Sequence, residues 1–138
     1  DRSSAASDVY KRQVPDNAWL GVTVENKKMK YRIDYLSAID AKIHFLSCEP
    51  LLEDLGELKL ENIQWIIVGG ESGVQARPMK EEWVLNIKAQ AHVNNIPFFF
   101  KQWGTWGQDG VKRNKKVNGK LLQGEIVQEL PSQSLIKK

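Results

Sequence analysis

The stretch WIIVGGESG, residues 65–73, combines the two features that decide the fold of this chain. Its first four residues are apolar and β-branched or aromatic, as in a strand that is buried on both faces. Its last five residues form a polar, glycine-rich loop. A buried strand that ends in such a loop is typical of a parallel sheet whose carboxyl edge opens on a binding site.

The rest of the chain repeats this pattern, with further apolar runs at residues 19–24, 43–46 and 97–100. Because three of the four runs are close to continuously apolar, we predict a parallel sheet that is covered on both faces. Parallel strands need crossovers, and amphipathic periodicity predicts helices over residues 28–41 and 80–94. Residues 51–62 are interrupted by Gly56 and predict a short helical turn with a loop.

The resulting order, βαβ(α)βαβ, indicates an α/β fold that is either an open doubly wound sheet or an arc of a barrel. Residues 14–104 would form this domain. Residues 1–13 are small and polar, and we expect them to be a non-native or disordered segment outside the fold. Residues 105–138 predict a small β-hairpin appendage and a tail, on the signal of three tight-turn pairs, Asp109-Gly110, Asn118-Gly119 and Gln123-Gly124.

Composition and charge exclude several classes of protein. Lys and Arg exceed Asp and Glu by 20 to 17, and the net charge of +3 is too small to require nucleic acid or an anionic membrane as partner. The single cysteine, Cys48, excludes an internal disulfide framework and a multi-cysteine metal site within this chain. No apolar run is long enough for a membrane helix, so we expect a cytoplasmic protein without a membrane partner.

Polar residues follow all four apolar runs, and this is the main functional signal. They are Glu25 and Asn26, then Ser47 to Pro50, then the GGESG loop, then Lys101 to Gly104. Since the carboxyl ends of parallel strands open on one side, we predict that these groups converge on one rim. The alternative is that polar residues merely mark the points where strands leave the core.

Individual rim residues admit more than one interpretation. The GGESG glycines either bring backbone N–H groups to a phosphate or carboxylate, or form a tight turn with Glu71 in solvent. Arg77 either binds an anion bidentately or is a surface residue, and Lys101 either holds an anion or pairs with a carboxylate such as Glu71. Trp103 either stacks on a ring or seals the end of the fold.

Two other features have a structural and a functional interpretation. Cys48 is typical of a small buried hydrophobic residue, since no histidine stands where it would activate a nucleophile. The basic stretch 112–116 is explained by a solvated hairpin or, alternatively, by contact with a nucleic-acid backbone.

Five ordered strings, WLGVTVEN, FLSCEPLL, WIIVGGESG, ARPM and PFFFKQWG, resemble the carboxyl-terminal half of the phage-associated gene-product thirty-seven/sixty-eight family. That family is similar to radical S-adenosylmethionine enzymes. The resemblance implies half of a partial (β/α) TIM-like barrel that binds S-adenosylmethionine beside a [4Fe-4S] iron-sulfur cluster. It also implies that the cluster is held by cysteines of an amino-terminal half, which would be the partner of this chain.

The resemblance also assigns roles to rim residues. Gly69, Gly70, Glu71 and Ser72 would line the cofactor pocket. The substrate side would be formed by Glu25, Asn26, Ser47, Glu49, Lys101 and Gln102, with Arg77 and Trp103 as further pocket candidates. Similarity of the family to DNA-repair enzymes of the spore photoproduct lyase type makes nucleic acid a candidate substrate. Two alternatives stay open: a non-enzymatic nucleic-acid-binding phage accessory module, and a metal-independent barrel enzyme with a phosphorylated substrate.

Overall fold

The computed structural model of the protein describes residues 17–132. It contains one four-stranded sheet in which all neighbouring strands are parallel and follow the order of the chain. The strands are β1 (Trp19–Thr23), β2 (Ile43–Cys48), β3 (Trp65–Val68) and β4 (Phe98–Phe100). The prediction of a mixed α/β fold with a parallel sheet is therefore confirmed. The prediction for residues 1–13 falls outside the described residues.

Two helices cover one face of the sheet. A 3-10 turn (Lys27–Met29) leads into α1 (Tyr31–Ser37), which is shorter than predicted because i to i−3 hydrogen bonds tighten its last turn. The helix α2 (Glu81–Val93) agrees closely with its prediction. Its two glutamates lie in the first turn, where the positive end of the helix dipole favours them. Val84, Ile87 and Ala91 form its buried stripe.

The connection from β2 to β3 is an ordered loop, and the helical turn predicted within residues 51–62 is wrong. Leu51, Leu55 and Leu58 are buried at the i, i+4 and i+7 spacing of an amphipathic helix, but the hydrogen bonds of this segment are those of a loop. The side chain of Asp54 accepts a hydrogen bond from Gly56 N. Gly56 has a positive φ of 66°. Gln90 of α2 then donates to Gly56 O and accepts from Leu58 N, which satisfies loop groups that a helix would have paired internally.

The two faces of the sheet differ. One face, from Val22 of β1 to Phe100 of β4, packs into the hydrophobic core beneath the helices. The other face presents aromatic rings that contact one another, Trp19, Phe45, Trp65 and Phe99. These rings are half-buried or, for Trp19, 39% exposed. Within residues 17–132 the prediction of cover on both faces therefore holds for one face only.

The appendage contains a helical turn as well as a hairpin. After a turn at Asp109 and Gly110 the chain forms α3 (Lys115–Asn118), β5 (Leu121–Leu122) and the antiparallel β6 (Glu125–Ile126). The predicted hairpin turn at Gln123-Gly124 is confirmed, with positive φ at both residues. The pair Asn118-Gly119 instead ends α3, so the basic stretch does not form a hairpin strand.

The end of the described chain protects one edge of the sheet. Val127 O accepts from Phe100 N, and Glu129 N donates to Phe98 O, so this segment runs antiparallel along β4. No such segment pairs with β1 among residues 17–132. In the part of the chain that the structure describes, the sheet thus has one covered edge and one open edge. Across the same residues, no helix has the length and apolar character needed to cross a lipid bilayer.

Candidate functional site

The loops after β2, β3 and β4 are joined by one amide side chain. Gln102 Nε2 donates to Glu49 Oε2 at 2.7 Å and to Gly70 O at 3.0 Å. Lys101 Nζ lies 3.3 Å from the other oxygen, Glu49 Oε1. Lys101 and Gln102 therefore meet Glu49, which is 52 and 53 positions earlier in the sequence, above the carboxyl end of β3. The parallel arrangement of the strands predicts this meeting.

The glycines of the GGESG loop allow the backbone to pack closely. A Cβ atom on Gly70 would lie 1.9 Å from Trp103 O, and one on Gly69 would lie 2.9 Å from Gln102 Nε2. Their N–H groups are already engaged, since Gly69 N donates to Cys48 O and Gly70 N donates to Gln102 O. In this structure the two amides hold the loops together and are not turned toward a ligand.

Glu71 and Arg77 form an internal ion pair at the end of the same loop. The Arg77 side chain donates to both carboxylate oxygens, at 3.0 and 2.8 Å, and Arg77 N donates at 2.9 Å. These hydrogen bonds lower the pKa of Glu71 to about 2, so the carboxylate is ionised at neutral pH. The bidentate contact anticipated for Arg77 is thus made with Glu71 of the same chain, and Lys101 pairs with Glu49 instead of Glu71.

The end of β1 supplies a further carboxylate and an unpaired acceptor. Glu25 Oε1 lies 3.5 Å from Arg32 Nη1, and that nitrogen also donates to Thr23 O at 2.8 Å. Asn26 Oδ1 is buried and has no hydrogen-bond partner among the described residues. The pKa of Arg77 is raised, mainly by its hydrogen bonds to Glu71 and to a lesser extent by the charge of Glu25.

One cavity of about 520 Å³ is lined both by residues of the loops after β2, β3 and β4 and by lysines of the appendage. Its lining consists of Glu49, Ser72, Lys101, Gln102, Lys115, Lys116, Gly119 and Lys120. Four of these were predicted from the strand ends. The basic stretch gave a signal for Lys115 and Lys116, but nothing in the local pattern indicated that it would lie at the rim.

The other predicted residues do not line this cavity. Ser47 is half-buried at the end of β2, and its carbonyl accepts from Val24 N. Trp103, proposed for the substrate pocket, is 1% exposed, contacts the ring of Phe100 and donates from Nε1 to Leu121 O. It therefore supports the rim from beneath, because a ring with so little exposed surface has none to offer a substrate.

Cys48 is a core residue. Its side chain is fully buried, and burial raises the pKa of the thiol to about 12. A thiol in this environment is neither a nucleophile nor a metal ligand at neutral pH. A larger cavity, of about 700 Å³, lies at the amino end of β4 between α2 and residues 125–129, and it contains none of the predicted rim residues.

The comparisons with known proteins identify a family. A profile described as Protein of unknown function (DUF5131) matches residues 1–131. The chain belongs to the DUF5131 family. No curated protein and no solved structure gives a significant match to this DUF5131 chain. Among residues 17–132, no cluster of three or more His, Cys, Asp or Glu side chains is placed to hold a metal ion.

Proposed function

We propose that the chain supplies the substrate-binding half of the active site of a partial (β/α) TIM-like barrel enzyme related to radical S-adenosylmethionine enzymes. The observation that carries this proposal is the cavity at the carboxyl ends of β2, β3 and β4. Glu49, Ser72, Lys101 and Gln102 reach it from three separate loops. In parallel α/β folds this position is where substrates bind and catalytic side chains project.

The chemistry of the cavity favours an anionic substrate. The Glu49 carboxylate is held by Lys101 and Gln102, so it is an oriented acceptor with part of its surface exposed. The Lys101 side chain is 56% exposed and can turn from Glu49 to a substrate anion, while Gln102 keeps Glu49 in place. This arrangement binds and orients an anion with side chains that the fold positions in advance.

The cofactor assignments fit the chain to different degrees. Three cysteines would be needed for a [4Fe-4S] cluster, and the single, buried Cys48 does not fit that role. Reductive cleavage of S-adenosylmethionine would supply a hydrogen-abstracting radical. Ser72, which the resemblance places in the cofactor pocket, carries an exposed hydroxyl that fits the polar groups of that cofactor.

The partner in this proposal is an upstream half of the same polypeptide, which would add strands to β1. Two features support it. The edge of β4 is covered by residues 127–129, whereas β1 has no second strand partner in the described chain. The aromatic face that begins at Trp19 is only half-buried, as expected for the inner face of an incomplete barrel.

A polypeptide that includes the upstream half tests this function. We expect it to contain a CxxxCxxC-type triad, to bind S-adenosylmethionine in calorimetry after anaerobic cluster reconstitution, and to form 5'-deoxyadenosine on reduction. Ser72→Ala should weaken binding of S-adenosylmethionine, whereas Ser37→Ala, which changes a serine of α1 outside the cavity, should not. An upstream half without such cysteines, or a folded protein that does not bind S-adenosylmethionine, would exclude the radical mechanism.

A metal-independent barrel enzyme with a phosphorylated substrate is the second candidate, and the lysine side chains around the cavity favour it. It uses the same rim residues. Turnover of a phosphorylated substrate that is unaffected by S-adenosylmethionine and by iron chelation would select this candidate over the first.

A further inference from the structure

We propose that the cavity at the strand ends binds adjacent phosphate groups of the ligand through Lys101, Lys115, Lys116 and Lys120. This inference rests on the proposed function, because it assigns a ligand class to the same rim. Of the residues that the structure describes, four lysines and a single carboxylate, Glu49, line the cavity. The local charge is therefore strongly positive although the whole chain carries only +3.

The appendage lysines have no counter-charge in the described chain. Lys101 pairs with Glu49, but no carboxylate among residues 17–132 forms an ion pair with Lys115, Lys116 or Lys120. Like charges gathered around one cavity repel each other unless an anion lies between them. A bound polyanion would remove this repulsion.

Hydrogen bonds to the loop after β4 hold the segment that carries these lysines at the rim. Trp103 N donates to Gly119 O at 3.0 Å, and Trp103 Nε1 donates to Leu121 O at 2.8 Å. Asn118 Nδ2 donates to Gly104 O and to Thr105 O. The segment that carries Lys115 to Lys120 is thus fastened to the loop that follows β4. A buried tryptophan at this junction fixes where the ammonium groups can reach.

The lining indicates which part of a ligand is recognised. Among residues 17–132, no aromatic side chain lines the cavity, so this part of the chain offers no surface there on which a nucleobase would stack. The neutral groups are the Ser72 hydroxyl and the Gln102 amide, both of which can donate to phosphate oxygens. The volume of about 520 Å³ suits a short phosphate chain with its surrounding water. We therefore assign phosphate recognition without base recognition.

Calorimetry with inorganic tripolyphosphate tests the assignment in the absence of S-adenosylmethionine. The double variant Lys115→Gln/Lys116→Gln should weaken binding by about tenfold, because two cationic contacts are lost. The matched control Lys59→Gln/Lys88→Gln removes the same charge outside the cavity and should change affinity less than about twofold. Lys120→Gln serves as a second cavity variant. The lysines at 115, 116 and 120 are exposed, so circular dichroism should show unchanged folds.

Two further ligands identify the source of the phosphate. A nucleoside triphosphate should bind about as tightly as tripolyphosphate, since the base makes no contact in the cavity. A single-stranded oligonucleotide that binds more tightly, with steeper loss between about 50 and about 200 mM salt, would identify a nucleic-acid backbone as the source. Preference for tripolyphosphate would identify a small phosphorylated substrate. Both results support phosphate recognition by the lysines.

Two outcomes would overturn the inference: a folded chain that binds none of these ligands at low salt, and equal weakening by the cavity and control variants. These outcomes are separable from failure of the proposed enzyme. Binding of S-adenosylmethionine by the longer polypeptide would stay intact if only the phosphate assignment were wrong. Loss of cofactor binding with intact phosphate binding would instead refute the radical mechanism.

Discussion

Gly70→Ala tests whether the GGESG glycines exist for close packing. The added Cβ would lie 1.9 Å from Trp103 O, 2.9 Å from Trp103 C and 3.2 Å from Met79 Cε. Backbone atoms cannot turn away as a side chain can. The loop after β4 would have to move by about 1 Å, which strains the hydrogen bond from Gly70 N to Gln102 O.

We expect Gly70→Ala to lower the free energy of unfolding by about 3 kcal/mol, from overpacking of about 2 kcal/mol and a weakened hydrogen bond of about 1 kcal/mol. For a domain of this size that corresponds to a melting temperature lower by about 10 °C. Chemical denaturation and thermal unfolding followed by circular dichroism measure both quantities. Alanine keeps the N–H group, so the substitution separates packing from any anion-binding role of that amide.

Gly69→Ala is the matched comparison at the neighbouring position. Its Cβ would meet side-chain ends, Gln102 Nε2 at 2.9 Å and Glu49 Oε2 at 3.1 Å, and these can move. We expect a cost of about 1 kcal/mol and a rearranged contact between Glu49 and Gln102. A melting temperature of Gly70→Ala within about 2 °C of the wild type, or a larger loss for Gly69→Ala, would refute the close-packing explanation.

Three further predictions concern single side chains. Cys48 should not react with a thiol reagent at pH 8 until the protein unfolds, because burial raises its pKa to about 12; rapid labelling of the native chain would contradict this. Glu71→Gln should cost about 1 kcal/mol near neutral pH by removing the Arg77 ion pair. Because the pKa of Glu71 is lowered to about 2, this difference in stability between wild type and variant should persist at pH values above the ordinary carboxyl pKa and shrink as the pH falls toward 2. Denaturation at several pH values measures the difference. A difference that stays constant with pH would speak against the ion pair. Trp103→Phe should lose about 1 kcal/mol, because the ring stays buried while the hydrogen bond to Leu121 O is lost; unchanged unfolding would show that this bond does not stabilise the appendage.

Much of the α/β core could be predicted from local patterns. The runs at 19–24, 43–46, 65–68 and 97–100 are all strands, because β-branched and aromatic residues in short apolar runs have few other ways to be buried. The periodicity of residues 80–94 gave α2 to within a residue at each end. The loop at residues 49–64 could not be predicted, because its backbone groups at Gly56 and Leu58 are paired by the side chain of Gln90, a distant residue of α2.

The position of the candidate site could be predicted from the sequence, but the pairs of side chains that form within it could not. The rule that parallel strands open on one side brought Glu49, Ser72, Lys101 and Gln102 to one cavity. Which carboxylate Lys101 would meet was decided by the register of the loops, and the partner is Glu49. The N–H groups of Gly69 and Gly70 turned out to be engaged inside the fold, which no local pattern indicates.

The sequence by itself determined the parallel α/β core, the strand ends where polar groups gather, and the absence of a multi-cysteine site within the chain, because these depend on residue type and short-range periodicity. Only the tertiary structure decided that the appendage carries Lys115, Lys116 and Lys120 to the rim, and that one edge and one face of the sheet stay open in the described residues. These features depend on contacts between segments far apart in the chain, such as Trp103 with Leu121 and Phe100 with Val127. Hydrophobic pattern fixes which residues are buried, but it does not specify which distant partner they meet.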